Sequence, residues 1–151
     1  MIRIEHSVVI DRSVDQVWNY LTDFQNTPKW DIGVVETKQT SAGPAGLGTT
    51  FQNIGPFLGR NSVREYRVTE YEPEQKISIS LVSPSRLIQH AEISYMFQPD
   101  EDRTRLTFSG SMELKGIYKL LQPFLLQSAK KDGQGDLENL RRQLDPQTEQ
   151  A

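Results

Sequence analysis

Cysteine is absent from this 151-residue chain, which excludes disulfides, thiol nucleophiles and Cys-ligated metal. Histidine is scarce: only His6 and His90 occur. They fall on different expected strands with no nearby carboxylate cluster, so no metal site and no cofactor are expected. No apolar run approaches the ~20 residues that a membrane span requires. Positive charge is not in excess either. A net charge of -3 and an isoelectric point of 5.4 argue against nucleic acid as a partner, because phosphate binding needs clustered cations. Gly43, Gly46 and Gly48 open no helix with the spacing that cradles phosphate. No nucleophile elbow frames a Ser-His-Asp set. The opening MIRIEHSVVID alternates and carries charge, unlike the apolar centre of a secretory signal, so the expected location is cytoplasmic.

What is present is enough for one core. A single domain over residues 1–145 is expected, with 146–151 as a frayed tail. Ile2, Ile4, His6, Val8 and Ile10 alternate with Arg3, Glu5, Ser7 and Val9 and predict a strand with one buried face. Ser13 with Gln16 three residues on forms a capping box, and Val14, Val17, Trp18 and Leu21 form the apolar stripe of a short helix. A second short helical piece runs from Asp23 towards Trp30, with Pro28 suited to a first turn. An extended segment over 31–40 has Val34 and Val35 as its apolar part, and 41–48 is a loop. A strand over 49–53 points Phe51 and Asn53 inward. Residues 54–60 are expected as a turn, with Phe57 and Leu58 at a pocket rim or lid and Gly55 and Gly59 as hinges.

Three strands with short turns follow. Arg64, Tyr66 and Val68 share one face of the first, and Ile77, Ile79 and Leu81 face inward from the second, with Lys76, Ser78 and Ser80 outward. After a turn at Ser83-Pro84-Ser85, Ala91, Ile93, Tyr95 and Phe97 share a face of the third, opposite Glu92 and Ser94. His90 is placed on the face of Ile88 and Glu92, hence at the surface. A polar hairpin at 99–103 leads to a last strand with Leu106, Phe108, Gly110 and Met112 on one face. Strands joined by such short turns must be antiparallel neighbours.

The segment from Gly116 to Leu144 is the one long helix. Ile117, Leu120, Leu121, Phe124, Leu125 and Ser128 recur at three- and four-residue spacing and are expected to pack on the sheet. Pro123 predicts a kink or a late start. Leu137, Leu140 and Leu144 project onto a different face. The change at Gly133-Gln134-Gly135 implies a bend, or a small-residue patch passing close to the sheet or a ligand. A curved sheet closing over one helix leaves a hollow between them.

The order of elements resembles that of the START-like, or SRPBCC, superfamily, in particular its polyketide cyclase/dehydrase and lipid-transport branch. Ile10, Val17-Trp18, Leu21, Asp23 and Trp30 match its opening. Further matches are Gly48-Thr49-Thr50-Phe51, Val68 to Pro73, Arg103 to Thr107, and Leu120 to Leu125. The resemblance spans about residues 2–144. It implies an α+β helix-grip fold: a curved seven-stranded antiparallel sheet wrapped around a long C-terminal helix, with two short helices after the first strand. Members bind lipids, hormones, polyketides and quinones, cyclise substrates, form parts of oxygenases or bind chaperones. The matching residues are structural, so no catalytic set carries over.

A small hydrophobic or aromatic ligand is therefore expected between sheet and helix. The candidate lining is Trp30, Phe51, Phe57, Arg64, Tyr66, Leu81, Tyr95, Phe108, Met112, Leu121 and Phe124. An inward Arg64 must meet a carboxylate, backbone oxygens or an acidic ligand group, because an unpaired buried charge is costly. With Tyr66 it is expected to orient the polar end of an apolar ligand; a one-residue slip would instead leave it in solvent. His6 falls on the buried face, as a core or rim residue or as a ligand contact. The alternatives are a cyclase or dehydratase drawing acid/base groups from His6, Arg64, Tyr66 and Tyr95, and an interaction module with a filled core. Brief contact with a membrane to collect a lipid and the oligomeric state are left open.

Overall fold

A computed structural model describes residues 1–57, 60–82 and 87–145, with Phe57 described through its backbone alone. The alternating first segment forms strand β1 (Ile2–Ile10), buried at both end residues. Helix α1 (Val14–Thr22) begins where the sequence places its cap, with the Ser13 N–H donating to Gln16 Oε1 at 3.3 Å. It buries Val17, Trp18 and Leu21, and the Trp18 ring meets Tyr71 and Phe97 edge-on at 5.3 and 5.1 Å. A 3₁₀ turn over Phe24–Asn26 leads into α2 (Thr27–Trp30), which carries Pro28 in its first turn, where no backbone donor is needed.

Strands β2 (Glu36–Gln39), β3 (Thr50–Phe57), β4 (Arg60–Glu72), β5 (Lys76–Leu81), β6 (Ile88–Asp100) and β7 (Arg103–Leu114) join β1 in one seven-stranded antiparallel sheet. The order is β1-β7-β6-β5-β4-β3-β2, so β1 and β2 are opposite edges and α1 and α2 bridge the span between them. Each remaining strand pairs with its sequence neighbour, as short turns require. A 3₁₀ turn over Gly116–Leu121 precedes α3 (Gln122–Leu144), which packs on β1, β7 and α2. The α+β helix-grip architecture is thus present in full.

Local departures have physical causes. Residues 54–57 are not a turn: β3 continues to Phe57, and Pro56 opposes Asn61. Gly55 is not a free hinge, since a Cβ there would lie 2.1 Å from the Gly33 carbonyl oxygen; the chain crosses too closely for a side chain. Leu58, Gly59, the turn at Ser83-Pro84-Ser85 and the tail 146–151 lie outside the described residues. Ser78 is fully buried on the outer face, its hydroxyl donating to Glu70 Oε1 and bonded to the Ser94 hydroxyl, both at 2.7 Å. A register shift between Ile88 and His90 buries Ile88 while leaving His90 exposed, so the two do not share a face. Val34 is buried, whereas Val35 is exposed.

The largest correction concerns the long helix. Ile117, Leu120 and Phe124 are 74, 77 and 79% exposed, and Leu121 is 40% exposed. That part of the stripe faces solvent, whereas Leu125, further along it, packs inward among Ile2, Leu87, Ile88 and Leu114. Gly133, Leu137, Leu140 and Leu144 make the packing face instead. Pro123 marks the late start, because the 3₁₀ turn before it gives way to α-helix at Gln122. The helix runs unbroken past Gly133, which passes so close to β1 and β7 that a Cβ would meet Phe108 at 3.2 Å and Ile4 and His6 at 3.4 Å.

Candidate ligand-binding site

Two separate apolar clusters lie beneath α3. One gathers Ile10, Val17, Trp18, Trp30, Phe51, Tyr66, Tyr95, Leu137 and Leu140 with their neighbours. The other holds Ile2, Leu87, Ile88, Ala91 and Leu114, with Met112 and Leu125 against it. Between the clusters α3 presents Ser128, Ala129, Asp132 and Gly133, all of them small or short side chains. The gap they leave is a cavity of about 270 Å³.

Its walls come from every layer. β1 gives Ile2 and Ile4; β6 gives Ala91, Ile93 and Tyr95; β7 gives Phe108, Gly110 and Met112. Arg64 and Tyr66 enter from β4, Trp30 from α2, and Asp31, Ile32 and Gly33 from the segment after it. α3 contributes Leu125, Ser128, Ala129, Asp132, Gly133, Asp136 and Leu137. The lining is mainly apolar; Asp31, Arg64, Asp132 and Asp136 gather where α2, β4 and α3 approach one another, and Glu92 adds a carboxyl group from β6.

That polar end is a connected network. The Asp31 carboxylate accepts from the Gly33 N–H at 2.9 Å and is hydrogen-bonded to Asp136. Asp136 Oδ1 accepts from the Ile32 N–H at 3.2 Å. Arg64 Nη2 donates to the Gly33 carbonyl at 3.0 Å, and Arg64 also bonds the Tyr66 hydroxyl. The segment from Asp31 to Gly33 is therefore tied to α3 on one side and β4 on the other. Burial, then the charge of Asp31, pushes Asp136 up to about 8. Asp31 is also raised, by burial, against the pull of the Gly33 N–H, Asp136 and Arg64. Two carboxyls this close in a low-dielectric site hold one proton between them near neutral pH. Burial raises Tyr66, and raises Tyr95 well above the ordinary phenol range, so both remain neutral donors.

Of the residues anticipated from sequence, Trp30, Arg64, Tyr66, Tyr95, Phe108 and Met112 line the cavity. Phe51 does not: it is 1% exposed and stacks between Phe24 and Tyr66 in the larger cluster. Leu81 packs at the edges of both clusters without reaching the cavity. Leu121 and Phe124 are on the exposed ridge, because the helix turns its later residues to the sheet. The side chain of Phe57 lies outside the described residues. Arg64 does face inward; its Nη2 meets the Gly33 carbonyl, while its Nε has no partner among the described residues. Asn53 is satisfied by Thr37, whose hydroxyl donates to its side-chain carbonyl at 2.8 Å. His6 is half-buried beside Gln134 and Glu138 in a separate small pocket, with no partner for its Nε2 among the described residues.

Sequence reasoning missed Asp31, Asp132 and Asp136. Asp136 stands three residues after Gly133 and one before buried Leu137, which sets it at the border of the packing face. Asp31 follows a buried tryptophan directly. Those positions were the available signal. No group of His, Asp and Glu suited to a metal ion occurs among the described residues. No helix there is long and apolar enough to cross a membrane.

Known structures share this architecture at low identity. The Zhui aromatase/cyclase from Streptomyces sp. R1128 superposes with a TM-score of 0.81 at 14% identity, covering 94% of this chain and 92% of that one. A START superfamily protein from Mycobacterium smegmatis gives 0.80 at 14% identity, over 94% and 96%. The di-domain ARO/CYC BexL from the BE-7585A biosynthetic pathway gives 0.77 at 14% identity, with 94% of this chain matching 46% of that one. These likenesses establish the fold. No curated protein matches in sequence. The profile of one family, however, covers residues 1–145, and the chain belongs to it: the polyketide cyclase / dehydrase and lipid transport family.

Proposed function

We propose that the protein binds an uncharged, largely apolar small molecule (lipid, polyketide or quinone-like) in the cavity between the sheet and α3. The observation that carries this reading is the cavity itself: about 270 Å³ of mainly apolar wall with one localised polar end. The polar end narrows the ligand class. Three carboxyl groups, Asp31, Asp132 and Asp136, face one guanidinium whose Nη2 already serves the Gly33 carbonyl. A carboxylate or phosphate would meet repulsion there. A hydroxyl or carbonyl would not, because the protonated carboxyl donates and the ionised one accepts. Arg64 thus supports the Asp31–Gly33 segment and Tyr66, and Tyr66 or Tyr95 orients the ligand's polar group.

The test is titration with a neutral fluorescent probe, N-phenyl-1-naphthylamine, against wild type and an Ala129→Trp variant that fills the cavity from α3. Saturable one-to-one binding that the variant loses is the expected result. Equal binding by both, or none by wild type, would remove the reading.

A second reading is favoured by the shared-proton pair. One protonated and one ionised carboxyl beside neutral phenols can act as general acid and base on a carbonyl substrate. The fold shared with an aromatase/cyclase fits cyclisation or dehydration. Arg64, Tyr66 and Tyr95 converge on the cavity as that chemistry requires, while His6 is elsewhere. Under this reading, Asp136→Asn retains probe binding and abolishes turnover of a poly-β-keto substrate; undiminished turnover would dismiss it.

A further inference from the structure

The ridge formed by Ile117, Leu120, Leu121 and Phe124 has no role in the core or the cavity. Three of its residues are at least 74% exposed, whereas Phe51, Leu106, Leu114 and Leu140 are fully buried. Its charge setting is equally unusual. Residues 115–131 hold Lys115, Lys119, Lys130 and Lys131 and no acidic residue, although the whole chain carries -3. No ion pair engages these lysines among the described residues. Lys131 follows Phe124 by seven residues on α3 and so shares its face. The ridge also leads into the cavity wall, since Leu125, Ser128 and Ala129, the cavity-lining residues that follow it, stand on the first turns of α3. Ile32, 65% exposed, lines that cavity from the α2–β2 segment.

We propose that this ridge docks the protein on an anionic lipid surface, with Leu120 and Phe124 inserted among the acyl chains and the lysines at the headgroups. Apolar side chains flanked by lysines suit the interfacial zone, where the stems snorkel and the ammonium groups meet lipid phosphates. A second copy of the chain fits less well, because a two-fold contact would bring the lysines of both ridges together. Docking stands on this surface alone. That it loads a sparingly soluble ligand into the adjacent cavity rests on the binding reading above.

The experiment is co-sedimentation with vesicles of phosphatidylglycerol and phosphatidylcholine, compared with phosphatidylcholine alone. Wild type is expected to partition onto the anionic vesicles preferentially. Lys119→Gln with Lys131→Gln should weaken this about thirtyfold, from the attraction of each cation near an anionic surface. Leu120→Ser with Phe124→Ser should weaken it at least about tenfold, from lost apolar burial. Phe124→Trp should show an emission blue shift on the anionic vesicles. The cavity-filled Ala129→Trp protein should still sediment, which separates docking from ligand binding. Partitioning unchanged by the ridge variant, no preference for anionic vesicles, or a solution dimer abolished by that variant would overturn the proposal.

Discussion

Asp136 and Gly55 show how single residues fix the geometry around the cavity. With its pKa raised to about 8, Asp136 keeps a proton in the folded state that the unfolded chain releases near the ordinary value of 3.8. Its contribution is therefore fully present at acid pH and is lost as pH climbs through about 8. Asp31 and Asp132 are the charged groups that act on it, and Arg64 acts on Asp31 in turn. Asp136→Asn keeps a donor towards Asp31 and removes the ionisation. The melting temperature of the variant should match wild type near pH 3, where Asp136 is protonated in both states, and exceed it by at least about 2–4 °C at pH 9. A gap that does not change with pH would refute the shared proton. Gly55→Ala tests the crossing of β3 under Gly33. The added methyl meets backbone, so a loss of about 1–3 kcal/mol in a denaturant melt is expected.

At the scale of elements, α3 is divided by function. Leu140 is fully buried in the larger cluster, whereas Leu120 is 77% exposed on the preceding turn. Leu140→Ala should cost about 2–5 kcal/mol, while Leu120→Ala should stay within about 0.5 kcal/mol. Comparable losses at both sites would restore the first stripe as the packing face. Strands, capping box and short helices were legible because alternation and cap chemistry act locally: Ser13 with Gln16, Ile2 to Ile10, Ala91 to Phe97. The packing face of α3 was not. Both stripes have helical spacing, and choosing between them requires knowing where the sheet lies. The small Gly133 patch was readable as a close approach, and it is one.

Taken together, the described residues form two apolar clusters with an unfilled gap between them, bridged by one helix that is small-sided over the gap. A cavity in this place was legible from fold class and from the inward face of β4. Its acidic end was legible only in outline: Asp31 beside Trp30 and Asp136 at the border of the packing face stand in the sequence, but their meeting depends on the α2–β2 segment docking on α3. The most direct test of a ligand site here is an amide NMR titration with N-phenyl-1-naphthylamine, assigned residue by residue. Saturable shifts at 31–33, 64–66, 91–95, 108–112 and 128–137 are predicted. Shifts confined to the exposed ridge at 117–124, or none that saturate, would contradict the account.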